Sequence, residues 1–273
     1  MNIIEAIIYG IVQGLTEFLP ISSTAHIRIV SSFFGWNDPG AAFTAIVQVG
    51  TMLALLIYFI NDIKNMIKHF VLSILYKKIN YSIESKHAWM ILVGTIPIVI
   101  FGLIFKNAIE TYLRSLYVIS TTLIVLALIL ALAEKMAKKT KNVQDVSWLE
   151  SQIMGIAQAL ALIPGVSRSG VTITAGLFSG LTREAAARFS FLLSIPAVFA
   201  SGMYELWEVR NQLNSDGFFV IIISTLVSGI VGYLSIAFLL NYLKKHSTFV
   251  FIYYRIILGL LIILFLALGW LSP

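Results

Sequence analysis

The sequence contains no cysteine and few charged residues. Only 12% of its 273 residues are Asp, Glu, Lys or Arg, about half of the roughly 25% that soluble domains carry. Without cysteine, disulfide bonds are excluded and the redox compartment is left open. No Lys or Arg precedes Arg28, so the positively charged start of a cleavable signal peptide is missing and we expect no such peptide.

Hydrophobic residues make up the largest share of the chain. They account for 59% of the sequence, and the mean hydropathy is +0.91. This composition predicts an integral membrane protein, multi-pass and all-α. The net charge of +6 would suggest nucleic acid in a soluble protein. Here the lysines cluster between apolar runs, which is typical of an orientation signal, so we expect no nucleic-acid partner.

The apolar runs fall into two length classes. Six approach the roughly 20 residues that a membrane-spanning helix needs, and we predict spans at Phe43–Ile60, Ala88–Phe105, Leu116–Ala133, Ala186–Leu206, Phe218–Leu240 and Phe249–Leu271. Four are shorter and form two pairs, Ile3–Phe18 with Ala25–Phe34 and Ile153–Ile163 with Val171–Leu181. Short runs of this kind are typical of re-entrant segments, so we predict two helix hairpins at about 3–34 and 153–181 within a single domain, 1–273.

Lysine placement predicts the orientation. If each hairpin leaves on the side that it entered, one set of loops collects most of the basic residues: Lys64, Lys68, Lys77, Lys78, Lys86, Lys135, Lys138, Lys139, Lys141, Arg183, Lys244 and Lys245. The other set holds only Arg28, Lys106, Arg114 and Arg210. The basic side is expected to be cytoplasmic. The first hairpin then opens outward and the second inward, as in an inverted repeat whose functional groups meet near the midplane.

Two polar strings at the hairpins resemble each other. The first reads QGLTEFLPISSTAH (13–26) and the second QALALIPGVSRSGVT (158–172). Each follows a Gly-Ile-x-Gln start, at 10–13 and 155–158, and passes through a proline to a run of hydroxyls. In the first, Gln13 and Glu17 share a helix face, and Ser23 and His26 can face one point. Ionisable groups in membrane segments are candidates for function.

The hydroxyls point to an anion site. Helix starts present free N–H groups that bind phosphate, and this predicts substrate contacts from the residues at the two restarts: Ser22, Thr24, Ser167, Arg168, Ser169 and Thr172. Arg168 offers a planar fork suited to phosphate oxygens. Arg255, near the start of the last span, is a further candidate for the phosphate.

Structural interpretations of the same residues stay open. The Ser22–Thr24 run can be a simple helix cap, and His26 can be a satisfied polar core residue. Glu17 can pair with an arginine such as Arg168, which can itself be snorkelling to an interface. Arg255 can be an interfacial anchor.

The two strings together resemble those of the undecaprenyl-diphosphate phosphatase family, the bacitracin-resistance type of integral membrane phosphatase. That family is marked by [Glu/Gln]-x-x-x-Glu, then Pro-x-Ser-Ser-Thr-x-His, and later Pro-Gly-x-Ser-Arg-Ser-x-x-Thr. The matching positions here are Gln13, Glu17, Pro20, Ser22, Ser23, Thr24, His26, Pro164, Gly165, Ser167, Arg168, Ser169 and Thr172. The resemblance covers essentially the whole chain. It departs at Ala25, where glycine is common, and at Gln13, which lacks a glutamate's metal-binding charge.

The resemblance implies hydrolysis of undecaprenyl diphosphate to undecaprenyl phosphate and inorganic phosphate. Such a reaction recycles the lipid carrier of cell-wall synthesis and confers bacitracin resistance. It also implies a divalent cation, Mg²⁺ or Ca²⁺, and an active site that opens to the outer face of the bacterial cytoplasmic membrane. The expected partners are the polyprenyl diphosphate and membrane lipids; the sequence leaves homo-oligomerisation open.

The residue pattern and the family resemblance together predict a mechanism. We expect Glu17, Ser23, His26 and Arg168 to be catalytic, with Glu17 and Gln13 holding the metal. In one version Ser23 attacks with His26 as its base, in direct contact; in another His26 attacks or activates water. An inverted-repeat transporter or flippase for an anionic lipid or small anion is the alternative function, and a purely structural scaffold explains the polar strings least well.

Overall fold

The computed structural model describes residues 1–210 and 215–271. Over these ranges the chain is helical and has no β-strand. The helices are α1 (Ile3–Phe18), α2 (Ser23–Phe34), α3 (Gly40–Tyr58), α4 (Ile60–Leu75), α5 (Ile83–Ile104), α6 (Lys106–Glu110), α7 (Leu116–Met136), α8 (Trp148–Ala159), α9 (Arg168–Phe178), α10 (Arg183–Val209), α11 (Ser215–Lys245) and α12 (Phe249–Ala267). Single 3₁₀ turns lie at Tyr112–Arg114, Val143–Asp145 and Leu160–Leu162.

Six helices are long and apolar enough to cross a membrane: α3, α5, α7, α10, α11 and α12. Each coincides with one of the predicted spans, which confirms the six-span prediction. Pro97 lies inside α5 and Pro196 inside α10. Both helices continue past their prolines, as membrane helices do where neighbouring helices satisfy the freed backbone groups.

The four short runs are also helices, and each pair is interrupted at its proline. Capping boxes start the first helix of each pair, Asn2 with Glu5 at α1 and Ser147 with Glu150 at α8. α1 ends before Pro20, and α8 ends in the 3₁₀ turn before Pro164. α1, α2, α8 and α9 have 16, 12, 12 and 11 residues, which is too short to cross a bilayer straight.

The glycines three residues before the two polar strings, Gly10 and Gly155, permit close helix packing. α1 packs against α11, and α8 packs against α5. A Cβ on Gly10 would lie 2.7 Å from the Ser224 carbonyl oxygen, and a Cβ on Gly155 would lie 2.4 Å from the Gly94 carbonyl oxygen. Only glycine fits at such separations, so the shared Gly-Ile-x-Gln start allows each hairpin to pack closely against a membrane-spanning helix.

α4 differs from the prediction, which places its lysines in a loop. It follows α3 after a one-residue break at Phe59. Ile63 and Met66 pack against the core, and the Trp89 indole donates to Ser73 Oγ at 3.0 Å. The apolar residues of α4 alternate with Lys64 and Lys68 at helical spacing, so this segment is too polar to be predicted as membrane-spanning.

Candidate active site

A cavity of about 450 Å³ lies between the two interrupted hairpins. Its polar end is formed by residues of both restarts: Glu17, Ser22, Ser23, Thr24, Ser167 and Arg168. Its walls are largely aliphatic and come from α5, the 3₁₀ turn after α8 and α10, with Ile98, Val99, Leu103, Leu162, Ile163, Ala197 and Ala200. The cavity therefore combines a polar end for a charged group with an apolar wall.

The first turn is held in an unusual backbone conformation. Pro20 follows the C-cap residue of α1, Leu19, and lacks the N–H that would continue the helix. Ser22 then adopts φ 76°, a left-handed value that is uncommon for a residue with a side chain. Its hydroxyl accepts from the Ala25 backbone N–H at 3.4 Å and so caps α2. This turn places Ser23 and Thr24 at the cavity with the free N–H groups of a helix start.

The second turn has the same local geometry. Ser167 adopts φ 68°, and its hydroxyl accepts from the Gly170 N–H at 3.2 Å. Gly165 has φ 90°, and a Cβ there would lie 2.1 Å from Thr122 Oγ1, so glycine is required on both grounds. Thr122 in turn donates to the Pro164 carbonyl at 2.8 Å. Two helix starts of matching conformation thus border one cavity.

Glu17 is the centre of the polar end. Its Oε2 accepts from Gln13 Nε2 and from Ser23 Oγ, each at 2.7 Å. Its Oε1 forms a hydrogen-bonded ion pair with Arg168 Nη2. The structural interpretation of Glu17 as the partner of Arg168 is therefore confirmed. Both side chains also border the cavity, so a ligand there can replace one partner of the ion pair.

His26 contacts other groups than its sequence spacing predicts. Its Nδ1 lies 2.7 Å from the Ser22 carbonyl oxygen, and its Nε2 lies 2.6 Å from the Tyr254 hydroxyl. The predicted contact between Ser23 and His26 is wrong, since the Ser23 hydroxyl pairs with Glu17 instead. His26 is also not among the residues that border the cavity. Three-residue spacing puts two side chains on one helix face, but their rotamers decide which neighbour each one meets.

Arg255 is completely buried and binds backbone carbonyls. It donates to carbonyls of both turns, to Pro20 at 3.4 Å, Gly165 at 3.2 Å and Val166 at 3.0 Å. It also donates to the Thr122 and Leu123 carbonyls of α7. Arg255 is therefore neither an interfacial anchor nor part of the cavity lining, which corrects its assignment to substrate binding. It holds the two turns at a fixed separation.

Two other predicted substrate residues stabilise the turns rather than border the cavity. Ser169 Oγ donates to the Leu19 carbonyl at 3.1 Å and so ties α9 to the end of α1. Thr172 Oγ1 donates to the Arg168 carbonyl at 2.7 Å and lies beside the Ser190 hydroxyl. Both side chains are buried. Of the six predicted phosphate contacts at the restarts, the cavity lining keeps Ser22, Thr24, Ser167 and Arg168.

The oxygen atoms near Glu17 are of the kind that bind a hard cation. Within the described residues there is no group of three or more His, Cys, Asp or Glu side chains that could hold a metal by itself. Gln13 Oε1, however, is a buried oxygen that accepts no hydrogen bond from the described residues. Mg²⁺ is commonly bound by one or two carboxylates together with substrate phosphates. Glu17 borders the cavity and fits that kind of site, and Gln13, which is hydrogen-bonded to Glu17 but is not a lining residue, supplies the free oxygen beside it.

Sequence reasoning missed several cavity residues because they come from distant elements. These are Thr44, Gln48, Lys106, Arg114, Ser201, Tyr204 and Glu205. Arg114 donates twice to Asp38, from Nη2 at 2.7 Å and from Nε at 3.0 Å. Burial alone would raise the pKa of Asp38, but the hydrogen bonds and charge of Arg114 outweigh it and lower this pKa below its usual value. No local motif in the sequence marks these positions.

Comparison with known proteins identifies the family. Residues 6–261 match the model of the bacitracin resistance protein BacA family. This chain belongs to the BacA family. It is 58% identical over 280 residues to a Chlorobium limicola protein named undecaprenyl-diphosphatase, covering 99% of each chain. Proteins of the same name from Chlorobium phaeobacteroides and Chlorobaculum parvum are 58% and 55% identical, with full coverage of both chains.

Membership in the BacA family confirms the resemblance drawn from the two polar strings. The strings occupy the two turns that border the cavity, so the residues that carry the family pattern also build its polar end. The relatives carry the name of a hydrolase, which favours catalysis over transport as the function of such a site.

Proposed function

We propose that the chain is an undecaprenyl-diphosphate phosphatase, which hydrolyses undecaprenyl diphosphate to undecaprenyl phosphate and inorganic phosphate. One observation supports it above the others: a hydroxyl, a carboxylate and a guanidinium are linked at one end of a cavity whose walls are largely aliphatic. The diphosphate suits the polar end. The first isoprene units of the lipid suit the aliphatic walls.

Arg168 and the two helix starts would bind the diphosphate. Guanidinium groups bind phosphate oxygens through two parallel hydrogen bonds, and helix starts offer unpaired N–H groups. We infer that Arg168 exchanges Glu17 for the substrate. That exchange releases the Glu17 carboxylate from its ion pair only when the diphosphate is present.

Ser23 would then attack the terminal phosphorus. A bond forms between Ser23 Oγ and phosphorus, the bond from phosphorus to the bridging oxygen breaks, and undecaprenyl phosphate leaves with that electron pair. The hydroxyl proton passes to Glu17 Oε2, which lies 2.7 Å from Ser23 Oγ. Water next attacks the phosphorus of the phosphoserine, and the bond from phosphorus to Ser23 Oγ breaks as Glu17 returns its proton to that oxygen. Phosphate then leaves as H₂PO₄⁻, which carries the oxygen and both protons of the water.

His26 has a different role in this scheme from the one that its spacing indicated. Both of its ring nitrogens are engaged, one by the Ser22 carbonyl and one by Tyr254, and neither contacts Ser23. We infer that His26 is a positioning residue that stabilises the left-handed turn at Ser22. Attack by His26 itself, or by water that it activates, is less well supported by this geometry.

A divalent cation fits beside Glu17. Glu17 and the Gln13 carboxamide oxygen would hold it together with phosphate oxygens of the substrate. When bound, Mg²⁺ or Ca²⁺ neutralises charge that develops on those oxygens.

The proposed membrane arrangement is an inverted repeat of two re-entrant hairpins in a single domain, 1–273. Three pairs of equivalent features support it. α1 packs on α11 as α8 packs on α5, and Ser22 and Ser167 share a conformation. Arg255 of α12 donates to the Pro20 carbonyl of the first hairpin, and Thr122 of α7 donates to the Pro164 carbonyl of the second. The basic loops favour a cavity that opens to the outer face of a bacterial cytoplasmic membrane.

The decisive experiment measures phosphate released from undecaprenyl diphosphate by the protein purified in detergent. We expect release with Mg²⁺ and a loss of at least about 100-fold in Glu17→Gln, since such a variant removes a group used in the transition state. Glu184→Gln is the matched control, because Glu184 lies at the start of α10 beside Lys244.

Each outcome has one meaning. Release that continues in excess EDTA would remove the metal from the scheme, and wild-type rates from Glu17→Gln would remove Glu17 as the base. Folded protein that releases no phosphate with either metal would contradict the phosphatase and favour a transporter for an anionic lipid, since transport liberates no phosphate.

A further inference from the structure

The hydroxyl of Tyr254 is joined to the Ser22 turn through the imidazole of His26. Tyr254 Oη lies 2.6 Å from His26 Nε2, and the two rings are nearly parallel, with an interplanar angle of 6° and centroids 5.6 Å apart. On the other side of the ring, Nδ1 lies 2.7 Å from the Ser22 carbonyl oxygen. A side chain of α12 is thus connected to a backbone group of the first hairpin.

The acceptor at Ser22 fixes the tautomer of His26. A carbonyl oxygen can only accept, so the proton of the neutral ring lies on Nδ1. Nε2 then carries a lone pair and needs a donor, which the Tyr254 hydroxyl provides. If the hydroxyl were lost, the ring could move its proton to Nε2, and the lone pair then left on Nδ1 would face the Ser22 carbonyl.

We propose that Tyr254 is a positioning residue, which fixes the tautomer and orientation of His26 and thereby holds the Ser22 turn that presents Ser23 to the cavity. A left-handed conformation at a non-glycine residue is strained and persists only where its surroundings over-determine it. Ser22 has φ 76°, and its carbonyl accepts both His26 Nδ1 and the His26 backbone N–H, the latter at 3.3 Å. The inference rests on the proposed function, because it assigns Tyr254 a part in presenting the nucleophile.

Its neighbour in α12 completes the arrangement. Arg255 donates to Pro20 in the first turn and to Gly165 and Val166 in the second. From adjacent positions on α12, Tyr254 contacts the first turn by way of His26, and Arg255 contacts both turns directly. The separation of the two helix starts would depend on Arg255, which contacts both turns, whereas Tyr254 would set only the placement of Ser23 in the first turn.

The test compares Tyr254→Phe with Tyr253→Phe. The adjacent tyrosine is an internal control, since its ring stacks on Phe249 and is 61% exposed, against 43% for Tyr254. Losing one hydrogen bond of ordinary strength predicts a fall in kcat of about three- to tenfold in Tyr254→Phe. We expect KM to stay within about twofold in both variants, because the groups that bind phosphate are unchanged, and kcat to stay at the wild-type value in Tyr253→Phe.

A spectroscopic readout separates positioning from a general loss of structure. In protein labelled with ¹⁵N at its four histidines, Tyr254→Phe should shift the Nε2 resonance of His26. The shift is toward an imidazole nitrogen without a hydrogen bond if the proton stays on Nδ1, and toward a protonated nitrogen if the tautomer changes. The other three histidines should not move. Wild-type kcat with an unshifted His26 signal would overturn the proposal, and so would equal losses of kcat in the two variants. Wild-type protein that releases no phosphate would instead overturn the proposed function, and this inference with it.

Discussion

The Glu17–Arg168 pair is the residue-scale feature from which the chemistry follows. Charge neutrality alone predicts that two opposite charges in apolar surroundings meet, and here they do, 151 positions apart. A buried pair of this kind is weak evidence for stability, because desolvation opposes the attraction between the charges. Its position at the cavity, with Ser23 on the same carboxylate, is better evidence for function.

Arg168→Lys tests whether the planar fork of the guanidinium matters as well as its charge. A lysine keeps the charge but cannot make two parallel hydrogen bonds to phosphate. We expect kcat to fall by about 100-fold or more, as it does when one aimed transition-state donor is removed. Phosphate release from undecaprenyl diphosphate measures it.

Arg188→Lys is the control for that substitution. Arg188 forms a half-exposed pair with Asp62 at 3.0 Å, outside the cavity. Its replacement should leave kcat unchanged. Equal rates for wild type and Arg168→Lys would mean that a point charge is sufficient and that the proposed fork plays no part.

At the scale of elements, the helices were largely predictable and the directions of their side chains were not. Apolar run length and the two prolines predicted α1 at its observed bounds and the first half of each hairpin ending at proline. Spacing cannot predict which way Ser169 or His26 turns within the first turn of α9 or α2. Their partners, Leu19 and Tyr254, lie 150 and 228 positions away and are supplied by packing of other elements.

The link between α2 and α3 offers a test of stability against pH. Arg114 lowers the pKa of Asp38 in the folded protein, so the ionised carboxylate stabilises the fold at neutral pH. Asp38→Asn should lower the free energy of unfolding by about 2 kcal/mol, in the range for hydrogen bonds to charged groups. The stabilisation is lost as the pH falls below 3.8, the ordinary value, toward the lower folded-state pKa. Thermal unfolding in detergent should therefore separate wild type from variant at pH 7 and bring them together in acid.

The half-exposed pair of Arg188 with Asp62 is the control for this test as well. Asp62 is about half exposed, and exposed ion pairs contribute about 0–1 kcal/mol. Asp62→Asn should therefore change the melting temperature little at any pH. A pH-independent difference between wild type and Asp38→Asn would show that packing, and not the charge of Asp38, stabilises this link.

For the whole molecule, the sequence predicted the number of spans and the family, but not the full cavity. The six spans follow from hydrophobicity, since a bilayer demands about 20 apolar residues from each helix. The cavity wall needs the arrangement of spans, because Thr44, Gln48 and Tyr204 come from α3 and α10 and carry no local signal. Arg255 shows the same limit: a charge near a span end resembles an anchor until its five carbonyl acceptors are seen.

The absence of cysteine allows the membrane arrangement to be tested without first removing native thiols. Single cysteines at Asn2 and Asn37 flank the first hairpin, and single cysteines at Gln144 and Ser179 flank the second. If both hairpins are re-entrant and inverted, an impermeant maleimide should label the first two in intact cells and the last two only after permeabilisation. Opposite accessibility of Asn2 and Asn37 would mean that the first pair crosses the membrane. The two turns would then not be related by an inverted repeat, and their shared conformation at Ser22 and Ser167 would need an explanation other than symmetry.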